Sequence, residues 1–156
     1  DYADRFGVEF HAGEKPWGRV KADVYMPCAT QNEIGLEDAK RMIEEGTSKL
    51  LIEVANMPTK AEAVEELQKA GFMIAPSKAV NAGGVAVSAL EMSQNAMKLS
   101  WTEEEVDEKL KKIMKNIFNN IDSAAKKYGM DGNLIAGANI AGFLKVAEAM
   151  LDEGIF

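Results

Sequence analysis

Cysteine and histidine are all but missing: Cys28 and His11 are the single examples of each in 156 residues. A lone thiol forms no internal disulfide, and so few His and Cys build neither a metal cluster nor a well-supplied Cys–His pair. Cys28 is therefore expected as a small buried thiol and His11 as a surface or strand-end residue. No apolar run approaches the roughly eighteen residues of a membrane span, and no signal peptide is visible. Basic residues are in deficit, 18 against 25 acidic ones, for a net charge of -7. That balance argues against nucleic acid or an anionic membrane as a main partner. A reducing, cytoplasmic setting is the simplest expectation. Also missing are a G-x-G-x-x-G after a strand, a P-loop lysine and a Ser–His–Asp set.

What is present is enough apolar sequence, 47%, for one domain with a real core. The opening DYADRF, followed by Gly7, reads as the last turn of a helix with its glycine stop, so the chain is expected to be a piece of something longer. Val8 to Phe10 is a short β-like run, followed by the turn-rich AGEKPWG. Ala22 to Met26 reads as a strand ended by Pro27. Leu36, Ala39, Met42 and Ile43 predict a helix over 36–45, stopped by Gly46. LLIEVA, residues 50–55, suits a strand covered on both faces. Thr59 with Glu62 reads as a capping box for a helix carrying Val64 and Leu67 and closed by Gly71. Phe72 to Ala75 is another strand, ended by Pro76.

From there the pattern is helical: Val85 to Met97, then Thr102 to Tyr128, then Leu134 to Leu151. Thr102 and Glu105 open the second of these, which is striped by Val106, Leu110, Ile113, Ile117 and Ile121. Gly129 and the turn MDGN separate it from the third. Met92, Met97 and Met114 read as core filler, and EEEVDEKLKK as a solvated face with i,i+4 pairs. The small-residue string AGANIAG, residues 136–142, is suited to close helix packing. The alternation of strands and helices predicts an α/β chain with a parallel sheet and right-handed crossovers. Residues 1–84 would supply the βα units and residues 85–156 a helical segment packed on them.

Three polar loops follow the strands: PCATQN (27–32), ANMPT (55–59) and PSKAVNAGG (76–84). In a parallel sheet they emerge at one edge, where open α/β sheets bind ligands. Asn56 and Asn81 offer donors and acceptors there. Gly83 and Gly84 let the main chain pass close to a ligand before entering the next helix. The free N–H groups of that helix start favour a carboxylate or phosphate, with Ser88 in the first turn as a further donor. The plain alternative, a tight turn and a solvated hydroxyl, stays open at this point. A nucleotide-like or amino-acid-like ligand is as far as the residues themselves lead.

Taken together, MPCATQNEI, IEVANMPT, APSKAVNAGGVAVSALEMSQN, LSWTEEEVDEKL and AGANIAGF closely resemble the glutamate dehydrogenase family, in its compact bacterial, hexamer-forming type. The resemblance covers essentially the whole chain. It implies the second half of a Rossmann-type dinucleotide-binding domain followed by C-terminal helices. It also implies reversible oxidation of L-glutamate to 2-oxoglutarate and ammonia with NAD or NADP, hydride passing between the substrate Cα and the nicotinamide by way of an iminoglutarate. By the same resemblance Ala29 would lie against the cofactor ribose through its backbone. Asn56 would hold the cofactor near its nicotinamide ribose, and Asn81 would bond the nicotinamide carboxamide. Val85 and Ser88 would form part of the substrate pocket, with the Ser88 hydroxyl on the glutamate side-chain carboxylate.

Leucine and phenylalanine dehydrogenases resemble the same family and share an NAGGV segment. A pocket for an apolar side chain has no use for a hydroxyl, which costs free energy when buried unpaired, so Ser88 favours glutamate. The family's glycine fingerprint, its residues choosing NAD or NADP, and its catalytic lysine and aspartate find no counterpart in this chain. No catalytic acid, base or metal ligand is assigned here, and the chain alone is expected to be inactive. Beside the enzyme stand two further functions: a non-catalytic module for a nucleotide or acidic metabolite, and a structural piece that self-associates through an open sheet edge.

Overall fold

The computed structural model describes residues 1–154. Helix α1 (Tyr2–Phe6) is followed by a long irregular stretch, then helix α2 (Leu36–Glu45). Strand β1 (Leu50–Ile52), helix α3 (Ala61–Lys69) and strand β2 (Met73–Ala75) form one βαβ unit. The strands are parallel, with Leu50 opposite Met73, Leu51 opposite Ile74 and Ile52 opposite Ala75. The helices α4 (Ser77–Val80), α5 (Ala82–Met97), α6 (Glu103–Lys127) and α7 (Leu134–Glu153) complete the chain. A parallel α/β layer followed by C-terminal helices is the architecture expected from the alternating pattern.

The strands are shorter than their apolar runs. LLIEVA contributes three strand residues, because Glu53 onward turns into the edge loop. Ala22 to Met26 does not form a continuous strand; Tyr25 alone makes a parallel bridge to Leu51. The Tyr25 N–H donates to Leu50 O at 3.0 Å, and Ile52 N–H donates to Tyr25 O at 2.9 Å. That segment still extends the sheet by one position beside β1. Val8 to Phe10 is not a strand: the run is exposed and takes no ladder partner among the described residues.

The main core lies where α2 and α3 cover the sheet. Ile34, Ala39, Met42, Leu51, Ala63 and Leu67 are fully excluded from solvent there, with Trp17, Tyr25, Phe72 and Ile74 around them. Full burial of a side chain such as Leu51 contributes about 1.5–3 kcal/mol. Helix α2 keeps its predicted stripe. It opens with the Asp38 side chain accepting from the Gly35 N–H at 2.9 Å and ends at Gly46, whose φ of 72° is left-handed. Tyr25 closes the rim of this core. Its hydroxyl donates to Glu45 Oε2 at 3.1 Å, and burial together with that neighbouring carboxylate pushes its pKa up to about 12.

The capping box expected from Thr59 and Glu62 does not form. The N-cap of α3 is Lys60, without a side-chain cap, while Thr59 is drawn into a parallel bridge with Ile34. Thr102 and Glu105 do form theirs: Thr102 N–H donates to Glu105 Oε2 at 2.7 Å, and Glu105 N–H to Thr102 Oγ1 at 3.3 Å.

A second, smaller core joins Ala79 of α4, Ile121 of α6 and Leu134 of α7. Helices α6 and α7 run against each other, and Gly137 marks their closest approach. A Cβ built on Gly137 would lie 2.3 Å from the Ile121 carbonyl oxygen, so AGANIAG packs as its small residues suggest. The run EEEVDEKLKK is solvated and carries the expected i,i+4 pair, Lys111 to Asp107 at 2.5 Å.

The expectation of methionines as core filler fails on α5. Met92 and Met97 are exposed rather than core, because α5 buries no residue at all. Met114 is only partly buried. Helix α7 buries only Leu134 and Gly137, leaving Phe143, Val146, Met150 and Leu151 in the open. By length and composition α7 is also apolar enough to cross a membrane, which a search for unbroken apolar runs passes over because Asn139, Lys145 and Glu148 interrupt it.

Candidate functional site

Because β1 and β2 are parallel, the chain leaves both at the same edge, and the Tyr25 segment leaves there too. Hydrogen bonds then stitch the three following segments together. Ala55 N–H donates to Pro27 O at 2.9 Å, and Asn32 N–H donates to Met57 O at 3.0 Å, joining the first loop to the second. Glu53 joins the second to the third. Its N–H donates to Ala75 O at 3.0 Å, and its Oε2 accepts from the Ser77 N–H at 3.0 Å. Three segments predicted at one edge are therefore held there as one rim, though the third is not a loop: residues 77–80 form α4 and α5 starts at Ala82.

Ala29 sits on the first loop, Asn56 on the second and Asn81 at the junction of α4 and α5, and all three are exposed. Exposed carboxamides at the ends of parallel strands can both donate to and accept from a polar ligand. Val85 is 70% exposed, and Ser88 is exposed one turn further along α5.

The double glycine is placed differently from its sequence expectation. Helix α5 begins at Ala82, so Gly83 and Gly84 lie inside its first turn and Ser88 in its second. The chain runs almost without pause from α4 into α5, with Asn81 serving as the C-cap of one and the N-cap of the other. Asn81 N–H is already spent on Ser77 O at 2.9 Å, and no side chain caps α5. The Ser88 hydroxyl points back along the helix to Gly84 O, at a long 3.3 Å. That bond is weak by its length, leaving the hydroxyl available to a stronger acceptor.

Neither glycine is explained by conformation, since neither has a positive φ. A Cβ on Gly83 would meet Met114 Sδ at 3.5 Å, an ordinary contact, and a Cβ on Gly84 would meet nothing within 4 Å. Gly84 therefore keeps bare backbone facing open space in the first turn of α5, at a cost to the helix of roughly 1 kcal/mol relative to alanine.

Cys28 is exposed, against its expected burial, because it follows Pro27 out of the sheet onto the first loop; its thiol lies 3.3 Å from Met26 O. His11 is exposed as expected. An apolar cavity of about 180 Å3 lies beneath α4, between Pro76, Ala79 and Val80 and the α6 residues Met114, Ile117 and Phe118. It belongs to the packing under the rim rather than to the rim itself. Lys78 of α4 donates to the Asn139 side chain of α7, so the third segment is anchored on both sides.

Glu53 is the residue that motif reading passes over. Its signal was an acidic residue inside an otherwise apolar strand run, and only its burial shows that the carboxyl turns inward.

Residues 1–154 match the Glutamate/Leucine/Phenylalanine/Valine dehydrogenase family. The NAD-specific glutamate dehydrogenase of Clostridium symbiosum is 57% identical over 156 residues, 99% of this chain and 34% of the relative. The NADP-specific glutamate dehydrogenase of Haemophilus influenzae is 50% identical over 161 residues, 100% of this chain and 34% of the relative. A solved glutamate dehydrogenase structure superposes with a TM-score of 0.92 at 57% identity, over 99% of this chain and 34% of that one. The chain thus spans about a third of the length of the relatives it matches.

Proposed function

Because the chain belongs to the Glutamate/Leucine/Phenylalanine/Valine dehydrogenase family, we propose that it is the C-terminal part of a glutamate dehydrogenase subunit. The whole protein would interconvert L-glutamate with 2-oxoglutarate and ammonia, using NAD or NADP. The observation that carries this is the rim: NAGGVAVSALEMSQN leaves β2 at the edge where Asn56 and the 27–32 loop also arrive.

The residues present fit a dinucleotide. A ribose and a carboxamide each require partners that donate and accept, and the exposed Asn56 and Asn81 side chains are of that type. The bare backbone at Gly84 admits a bulky group close to the start of α5. When bound, the nicotinamide ring would take up or give back the hydride. Ala29 and Asn56 would hold the ribose, and Asn81 would fix the ring's orientation through its carboxamide. Val85 would line the substrate pocket, and Ser88 would turn its hydroxyl from Gly84 O to the distal carboxylate of glutamate. Residues 1–84 would so form the cofactor wall, with 85–156 supplying substrate contacts and packing. No general acid or base is assigned to this chain, which alone would be inactive.

Ser88 favours glutamate over leucine or phenylalanine as substrate, since an apolar side chain would leave its hydroxyl unpaired on binding. We further propose a homo-oligomer, a hexamer for the whole subunit, working in the cytoplasm without nucleic acid or membrane as partner. The exposed apolar residues of α5 and α7 suit such protein contacts. The test is turnover by the full-length protein with NAD and NADP. Glutamate should be oxidised in preference to leucine and phenylalanine, and Ser88→Ala should raise the KM for glutamate by about tenfold or more. Preference for leucine, or an unchanged KM in Ser88→Ala, would refute the assignment. Binding of dinucleotide with no turnover of any amino acid would support a non-catalytic module instead.

A further inference from the structure

Pro76 interrupts the sheet at the point where the third segment begins. Having no N–H, it cannot extend the ladder. Glu53 spans the gap from the end of the neighbouring strand β1. Its N–H holds Ala75 O on one side of the proline, and its Oε2 holds the Ser77 N–H on the other, both at 3.0 Å. Glu53 is 6% exposed and Ser77 is 8% exposed, so this contact is made away from water. An acidic side chain buried beside apolar strand residues is costly compared with an apolar one unless it is hydrogen-bonded, as Glu53 is.

We propose that Glu53 is a positioning residue for the cofactor rim, a role that rests on the assignment of that rim to dinucleotide binding. Asn56 lies three residues after Glu53. Asn81 lies one helical turn after Ser77 and is tied to it, its N–H donating to Ser77 O at 2.9 Å. The Glu53–Ser77 bond therefore sets the spacing between the two carboxamides. If it is lost, α4 is no longer registered against the end of β1, and Asn81 drifts relative to Asn56. Geometry of this kind must hold to a fraction of an ångström for both to engage one ligand.

Ser77 offers a probe from the other end of the bond. It is the first residue of α4, where proline is tolerated, and Pro76 before it already has φ -73° and ψ 145°, as a residue preceding proline requires. Ser77→Pro deletes the donor and sets its ring Cδ where the N–H stood, which displaces the Glu53 carboxylate, while keeping the Asn81-to-Ser77 O bond available. Glu53→Asp keeps the acid but shortens the arm, and Glu53→Gln keeps the arm and an acceptor oxygen. The measurement is calorimetric titration of NAD and NADP into the full-length protein, with melting temperatures recorded separately. Ser77→Pro and Glu53→Asp should each weaken dinucleotide binding by about tenfold, with Glu53→Gln restoring most of it. In an Asn81→Ala background Ser77→Pro should cost little more, because it acts through Asn81. Full additivity with Asn81→Ala, or unchanged affinity in Ser77→Pro, would overturn the role of Glu53. Should the Glu53 variants fail to fold, Ser77→Pro decides alone. A wild-type protein that binds neither dinucleotide would instead overturn the assignment of the rim.

Discussion

Alanine at position 137 would put a methyl group where α6 and α7 leave no room for one. Its Cβ would stand 2.3 Å from the Ile121 carbonyl oxygen, 2.9 Å from Ile121 Cγ2 and 3.1 Å from Ala125 Cβ. The nearest atom is backbone, so no rotamer change relieves the clash, and the helices must separate by about 1 Å to reach an ordinary contact. Overpacking of this kind costs about 1–3 kcal/mol, occasionally more, against a helix-propensity gain of about 1 kcal/mol for replacing glycine. A net loss of about 1 kcal/mol would lower the melting temperature by roughly 2–4 °C in a chain of this size. Gly142, five residues further along the same helix, supplies the control, since a Cβ there meets nothing within 4 Å. Gly142→Ala should gain about 0.5–1 kcal/mol and melt slightly higher than wild type. Thermal unfolding of the chain followed by far-ultraviolet circular dichroism reads both. A Gly137→Ala protein that melts at or above wild type would refute the packing described for α6 and α7.

Two further expectations concern stability. Thr102→Ala removes the acceptor for the Glu105 N–H and should destabilise by about 1 kcal/mol in denaturant unfolding, with most of the loss in α6. Tyr25 holds its proton more tightly folded, at about 12, than its ordinary 10.0. Its contribution is therefore complete below pH 10.0 and is lost as the pH rises towards about 12. Tyr25→Phe should show a shallower fall in unfolding midpoint across that window; an identical fall in both proteins would contradict the burial of this hydroxyl.

Elements with strong local signals were legible in the sequence. The apolar stripe of α2 with Gly46 behind it, the Thr102–Glu105 box and the small residues around Gly137 all describe interactions that a few neighbouring residues determine. Thr59 and Glu62 carry the same local pattern as Thr102 and Glu105 yet do not form a box, because the Ile34 segment claims Thr59 for a bridge. Sequence spacing contains no trace of that partner. Val8 to Phe10 has strand-like residues but no neighbour to pair with among the described residues, and a strand exists only as part of a ladder. Met92 and Met97 have core chemistry on a helix that buries nothing within the chain, so composition alone misplaces them. For the site, the edge followed from the order of strands and helices, and two of the loops that reach it were identifiable from their polar residues, whereas the third segment is helical. The start of α5 was not, because two glycines argue for a turn, whereas α4 feeds directly into the helix and carries them along. The inward turn of Glu53 depends on Pro76 leaving Ser77 without a ladder partner, a contact across 24 residues.

The most direct test of the rim is calorimetric titration of NAD, NADP and 2-oxoglutarate into the full-length protein and three variants. Asn56→Ala should weaken the dinucleotide by about tenfold, and Ser88→Ala should weaken 2-oxoglutarate by a similar factor while leaving the dinucleotide unchanged. Gly84→Ala should fold at least as stably as wild type yet bind ligand more weakly, because the space its Cβ enters would be the ligand's. Wild-type affinity in all three variants would place the ligands elsewhere and contradict the account.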